Sequence, residues 1–256
     1  MSVKFTIQWV LLLAVLPCTC VRAQIVNIED KRKGFDTVGW YGQIDLGANL
    51  ARNKDQVISV NAAVRIDRKG TRQALLAIAD YRLVQVSGDN GLNAGFGHLR
   101  YAYYLSDLWR WEAFTQVQYN EQLRLGLRTL VGTGPRLKLI SAGDNRVYVG
   151  LLYMYEYDEV AERSFIYRDH RFSAYLSFSL YPTEDLNLSN TTYYQPVIVD
   201  FRLPRLSSIT SASIKLTDRL AATSRFSITY DELLNQGLDD VPSTTYEWTN
   251  GLRYSF

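Results

Sequence analysis

Thr249-Asn250-Gly251-Leu252-Arg253-Tyr254-Ser255-Phe256 closes the chain, and its two-residue rhythm decides the fold. Phe256, Tyr254, Leu252, Trp248 and Tyr246 share one phase, while Ser255, Arg253, Thr249 and Glu247 occupy the other. Successive side chains of a strand point to opposite faces, so this segment has one face for an apolar medium and one for water.

Back from that ending, the chain divides into alternating segments of roughly 10 to 14 residues, separated by turn formers, as far as Val38. Val38–Leu50 sets Trp40, Ile44, Leu46 and Leu50 against Gln43, Asp45 and Asn49. Gln56–Asp67 sets Ile58, Val60, Val64 and Ile66 against Ser59, Asn61 and Arg65. Ala74–Val84 sets Leu75, Ala77, Tyr81 and Leu83 against Asp80 and Arg82. After a loop around Val86–Gly95, Leu99, Tyr101, Tyr103 and Leu105 oppose His98 and Arg100. Trp109, Trp111, Val117 and Tyr119 face away from Arg110, Glu112, Gln116 and Gln118. Leu123, Leu125, Leu127 and Val131 oppose Arg124 and Arg128, and Gly132–Asn145 reads as a connection. Val147, Val149, Leu151, Tyr153, Tyr155 and Tyr157 then oppose Arg146, Glu156 and Asp158. Phe172, Leu176, Phe178 and Leu180 oppose Arg171, Ser173, Ser177 and Ser179. A ninth segment reaches about Phe201; Pro196 removes a ladder donor there, which suggests a bulge near Tyr194-Gln195-Pro196. Leu206–Thr217, Leu220–Asp231 and the C-terminal segment bring the total to twelve.

The apolar phases lack charge. Outside the ambiguous ninth segment none holds an Asp, Glu, Lys or Arg, in a chain of which 21% is charged. An Arg or Lys facing lipid at mid-bilayer costs about 2–4 kcal/mol. Repeated strand after strand, that penalty empties one face. A soluble sandwich alternates too, but with its polar face outward and strands of about five or six residues. These segments suit tilted spanning strands of about 9–11 residues. A bilayer offers backbone amides no partners, so the sheet has to close. The expected fold is all-β: a transmembrane antiparallel up-and-down β-barrel of about 12 strands over residues 38–256. Its last strand is expected to pair with the first near Val38–Leu50. Eighteen tyrosines and five tryptophans suit aromatic girdles at the two interfaces.

At the other end, Lys4 precedes an apolar run from about Ile7 to Val21, and Val21-Arg22-Ala23 suits cleavage after Ala23. Residues 1–23 therefore read as a secretory signal peptide, and 24–37, with Lys31-Arg32-Lys33, as a polar lead-in. The leader carries Lys4 and Arg22 and no acid, so the chain's 28 basic and 26 acidic residues become 26 of each on cleavage. Zero formal charge gives no ground for nucleic-acid affinity. Both cysteines, Cys18 and Cys20, leave with the leader, so no disulfide or thiolate metal site is expected.

The terminal pattern, with Gly251, Tyr254 and Phe256, resembles the C-terminal signal by which outer-membrane barrels are recognised for insertion. The resemblance implies export across the inner membrane of a Gram-negative cell to the outer membrane. It also implies the barrel assembly machinery as a partner through the last strand, with outer-membrane lipid and lipopolysaccharide around the wall. The chain from about Gly39 also resembles the YdiY-like, salt-induced outer-membrane protein family, which carries a domain of unknown function. That likeness rests on Leu123–Arg128 with Gly132-Thr133-Gly134-Pro135-Arg136-Leu137, on Tyr153-Met154-Tyr155-Glu156-Tyr157, and on Tyr193-Tyr194-Gln195-Pro196. It implies a barrel linked to osmotic or salt stress, and no reaction.

The polar phases name a candidate lumen: Asp45, Arg65, Asp80, Arg82, His98, Arg100, Arg110, Glu112, Arg124, Arg128, Glu156, Arg171, Arg225 and Arg253. Carboxylates among so many arginines read as ion pairs filling a barrel interior, and the basic excess predicts a weak anion preference if solutes pass. A lipid-cleaving barrel enzyme, of lipase or lipid A deacylase type, is the competing reading. It needs a histidine placed beside a serine, and neither His98 nor His170 stands in a His-x-Ser pair. No catalytic residue, metal site or cofactor is expected. The expected role is a narrow or largely plugged channel, or an envelope structural protein; any small-molecule or ion ligand is left open.

Overall fold

The computed structural model describes residues 37–52, 54–160, 164–231 and 242–254. The expected leader, most of the lead-in, much of the Asp231–Thr244 connection and the terminal Ser255-Phe256 lie outside those residues. The strands are β1 (Gly39–Arg52), β2 (Gln56–Lys69), β3 (Gln73–Val86), β4 (Asp89–Tyr104), β5 (Trp109–Asn120) and β6 (Leu125–Ala142). They continue as β7 (Asn145–Val160), β8 (Phe165–Thr183), β9 (Leu186–Pro196), β10 (Pro204–Lys215), β11 (Leu220–Asp231) and β12 (Thr244–Tyr254).

Each strand pairs antiparallel with its sequence neighbours, so the order β1 to β12 is that of a single up-and-down sheet. The sheet curls into a barrel: Arg128 on β6 reaches Asp231 on β11 at 3.3 Å, and Arg205 on β10 reaches Glu156 on β7 at 2.5 Å. One end of the barrel carries Gly39, Tyr254 and the turns between even-numbered strands and the odd-numbered strands that follow them; it is called the terminal end, and the opposite one the distal end. Most connections between the described strands are short; the stretches from β9 to β10 and from β11 to β12 are longer. Ser87 and Gly88, both at positive φ (53° and 97°), join β3 to β4, the two-residue turn whose twist matches a hairpin. The loop expected around Val86–Gly95 is therefore strand apart from those residues.

The outward face keeps its uncharged character across the wall and ends in aromatic rings. Trp40, Tyr103, Trp109 and Trp111 lie near the terminal end, and Tyr119, Tyr157, Tyr194 and Tyr246 nearer the distal end. Two indole N–H groups on this face are satisfied from neighbouring strands: Trp111 Nε1 donates to Thr133 Oγ1 at 2.8 Å and Trp248 Nε1 to Ser224 Oγ at 2.9 Å. In hydrocarbon no other acceptor is on offer. The ninth segment, ambiguous in sequence, resolves the same way. Its outward Asn190 and Thr192 bond to each other and to Ser208 and Thr210 at 2.8–3.1 Å, a polar patch that satisfies itself.

Several expectations are corrected. β6 runs on through Gly132 and Gly134 to Ala142, so most of the supposed connection is wall. The glycines there are room for neighbours: a Cβ at Gly132 would overlap Phe114, and one at Gly150 would overlap Tyr175. Leu123 and Leu125, expected outward, are each 1% exposed. A 3-10 turn at Glu121–Leu123, capped by Asn120, and a register shift between Leu125 and Leu127 reverse the phase. No bulge occurs at Tyr194-Gln195-Pro196; β9 keeps one register against β10 and ends at Pro196, short of Phe201, where the missing N–H breaks no ladder. The expected pairing of the last strand with the first is absent among the described residues, where β1 and β12 form the two edges. The ion pairs and hydrogen bonds that cross the lumen between Arg100, Arg128, Arg205, Tyr175 and their acids come from β4 to β11.

Candidate functional site: a charged plug inside the barrel

The inward phase of β4 to β11 carries side chains long enough to meet across the lumen. A twelve-stranded wall encloses more space than an eight-stranded one, whose interior side chains just fill; here arginine and tyrosine take up the difference. They form two charged layers.

The distal layer is built around Glu156. Its carboxylate accepts from Arg205 Nη2 at 2.5 Å and Nη1 at 2.9 Å, and forms ion pairs with Arg171, whose Nε lies 2.9 Å away, and with Arg128, whose Nε lies 3.3 Å away. Arg128 also grips Asp158, at 2.6 and 2.9 Å, and Arg205 Nε donates to Asp231 at 2.8 Å. Three guanidinium groups and the three carboxylates of Glu156, Asp158 and Asp231 thus meet from five strands, all buried. Arg171 donates through Nη1 to the Gln195 carbonyl at 2.8 Å. Burying ions is costly, and such a network contributes little net stability over an apolar filling; removing one member costs about 3–5 kcal/mol. The network ties β6, β7, β8, β10 and β11 to one another across the lumen.

The terminal-side layer is smaller. Arg100 donates to Glu112 at 2.8 Å, Tyr175 donates to the same carboxylate at 3.3 Å, and Arg136 Nη1 lies 3.7 Å from it. Between the layers sit Gln116, Gln118, Leu130, Leu152, Met154, Ser173, Tyr193 and Gln195, around a cavity of about 30 Å³. That is room for a water or two and no solute. Apolar groups also point inward, including Leu76 and Ile78 against Phe96, so the interior is drier than an alternating pattern implies.

Of the residues read from sequence as lumen-lining, His98, Arg100, Glu112, Arg128, Glu156 and Arg171 are brought together and buried. Arg65 pairs along its own strand with Asp67 at 2.5 Å, Arg82 lies 3.5 Å from Asp80, and Arg110 stacks 4.5 Å from the Tyr104 ring centre. Arg225 is half-buried on β11. Asp45 and Arg253 belong to the edge strands and are exposed, Asp45 accepting from Gln43 at 2.8 Å. Arg124 is a correction: it closes the 3-10 turn in a left-handed conformation and is exposed, outside the network. Arg136, Asp158, Arg205 and Asp231 are absent from that reading. Arg136 fell in the supposed connection, and Arg205 and Asp231 sit at strand ends; continuing the alternation one residue before Leu206 and through Asp231 would have found the last two. Outside the wall, hydrogen bonds from Arg202 hold the Asp200 carboxyl below its ordinary range in the β9–β10 turn.

His98 stacks between Phe96 and Phe114, centroids at 6.1 and 5.6 Å; Nδ1 meets Gln116 Oε1 at 3.1 Å, and Nε2 accepts from Arg100 at 3.4 Å. Both ring nitrogens are engaged, the setting of a structural histidine rather than a general base. His170 faces outward against the Tyr153 hydroxyl at 2.5 Å. Among the described residues, no group of three or more His, Cys, Asp or Glu is placed to hold a metal.

Three solved structures are similar over most of their length. The NanC porin covers 77% of this chain and 94% of its own at 11% identity and a TM-score of 0.46. The KdgM porin covers 85% and 98% at 8% identity and 0.42. The translocator domain of the autotransporter NalP from Neisseria meningitidis covers 90% and 92% at 11% identity and 0.37. No curated protein matches the chain. The model for the family described as "Protein of unknown function, DUF481" matches residues 44–256, in line with the resemblance read from sequence, and the chain belongs to that family.

Proposed function

We propose that this protein is an outer-membrane β-barrel with an occluded interior, an envelope wall protein that passes at most a narrow leak rather than an open porin or an enzyme. The distal ion network carries this reading: six buried charged side chains from five strands close the lumen where a porin would keep its path. The uncharged outward face supports residence in lipid and lipopolysaccharide, and the C-terminal strand supports insertion by the barrel assembly machinery. A contribution under osmotic or salt stress follows from the resemblance to the salt-induced family.

Planar-bilayer recording tests the proposal. The purified protein is expected to give no steady conductance of porin size, and any residual current to favour anions. Large, long-lived ohmic channels from the unmodified protein would overturn it.

A further inference from the structure

The terminal end of the barrel holds a second feature that the plug does not use. A cavity of about 810 Å³ opens there, walled by the ends of β2 to β7 and lined among others by Arg72, Tyr104, Asp107, Arg110, Lys138 and Tyr148. Its floor is the Arg100–Glu112 pair, so it is a blind vestibule below the occluded lumen. The volume is that of an ordinary small-molecule site.

Its charge is unbalanced. Of the acids on its lining, Asp67 is bound to Arg65 at 2.5 Å and Glu112 to Arg100 at 2.8 Å. Arg72, Arg110 and Lys138 have no carboxylate partner among the described residues, and only Asp107 stands against them. Arg110 is also pre-positioned. Its guanidinium lies 4.5 Å from the Tyr104 ring centre and 5.7 Å from that of Tyr148, and Arg136 stacks on Tyr148 at 4.0 Å. Two guanidinium groups thus share one ring, beside a layer whose carboxylate, Glu112, already serves Arg100, Tyr175 and Arg136. The distal layer, by contrast, balances three arginines with three acids. A stacked guanidinium loses little entropy when it binds a planar anion through both N–H edges.

We infer that this vestibule binds a small organic anion with two or more negative charges, carboxylate or phosphate, with Arg110 as the anchor and Arg72 and Lys138 closing around it. The ligand enters from the terminal end of the barrel, where Gly39 and Tyr254 lie, and stays there, since the floor and the plug above it block passage.

Calorimetric titration of the folded, detergent-solubilised protein with citrate and with inorganic pyrophosphate tests this, with maltose as a neutral control. Binding of at least one anion below about 1 mM is expected, with maltose silent. Preference for citrate or for pyrophosphate decides between carboxylate and phosphate. Arg110→Gln should weaken the preferred anion about tenfold or more. Lys138→Gln should weaken it less, and Lys54→Gln, in the distal β1–β2 turn, not at all. If Arg110→Gln fails to fold, Lys138→Gln with Arg72→Gln carries the comparison. No binding of either anion at about 10 mM, or an equal loss in Lys54→Gln, overturns the inference. Neither result bears on conductance, so the inference and the occluded-barrel reading fail separately.

Discussion

Glu156→Gln is the sharpest perturbation of the plug. The substitution keeps the side chain's shape and removes the charge that Arg205, Arg171 and Arg128 share. Each hydrogen bond to a charged group is worth about 1.5–3 kcal/mol, but summing them would overcount, because two of the arginines keep other acids. Arg128 retains Asp158 at 2.6 Å and Arg205 retains Asp231 at 2.8 Å. Arg171 is left with the Gln195 carbonyl at 2.8 Å, the Leu203 carbonyl at 3.4 Å and the more distant Asp169 carboxylate at 3.6 Å. The loss is therefore that of one buried charge without its counter-ion, about 3–5 kcal/mol. Urea unfolding in lipid vesicles, followed by tryptophan fluorescence, measures it. Adding Arg171→Gln should recover part of the loss, since it removes the stranded cation, giving a coupling of at least about 1 kcal/mol. A single-variant loss under about 1 kcal/mol, or strict additivity, would refute the idea that these groups act as one buried network.

Other consequences are simpler. Leu151→Arg, on the outward face in the middle of β7, should cost about 2–4 kcal/mol and reduce the inserted fraction; normal insertion and stability would speak against a lipid-facing wall. Gly150→Ala forces a methyl group into the Tyr175 ring and should cost about 1–3 kcal/mol, relieved when Tyr175→Leu is added; no loss would show that the ring has room to move. Closure across β1 and β12 is expected once lipid surrounds the wall, because free edges leave backbone groups unsatisfied in hydrocarbon. A cysteine at Ala48 should then cross-link with one scanned over Tyr246, Trp248, Asn250 and Leu252, and failure at all of these positions would contradict closure.

The wall was legible because it is written in a local code. Trp109, Trp111 and Val117 against Arg110, Glu112 and Gln116 need only the period of a strand to be sorted. The plug is not local: Arg205 meets Glu156 from 49 positions away and Arg128 meets Asp231 from 103, so their pairing depends on how the sheet curls. The misreadings have physical causes too. Gly132 and Gly134 look like loop residues until Phe114 and the β7 backbone claim the space beside them. Leu125 keeps the alternation in the letters but loses it in space, because a 3-10 turn and a register shift come between Asn120 and Leu127.

The central claim is that the uncharged face meets lipid, and the tryptophans report on it directly. Beyond the expected leader they are Trp40, Trp109, Trp111 and Trp248, all outward and 45–68% exposed. In vesicles containing lipids brominated along the acyl chain, their fluorescence is expected to be quenched strongly, by bromine near the headgroup for Trp40, Trp109 and Trp111 and by deeper bromine for Trp248. Iodide in the aqueous phase should then have little effect. Strong iodide quenching with no response to the brominated lipids would contradict a membrane-spanning barrel.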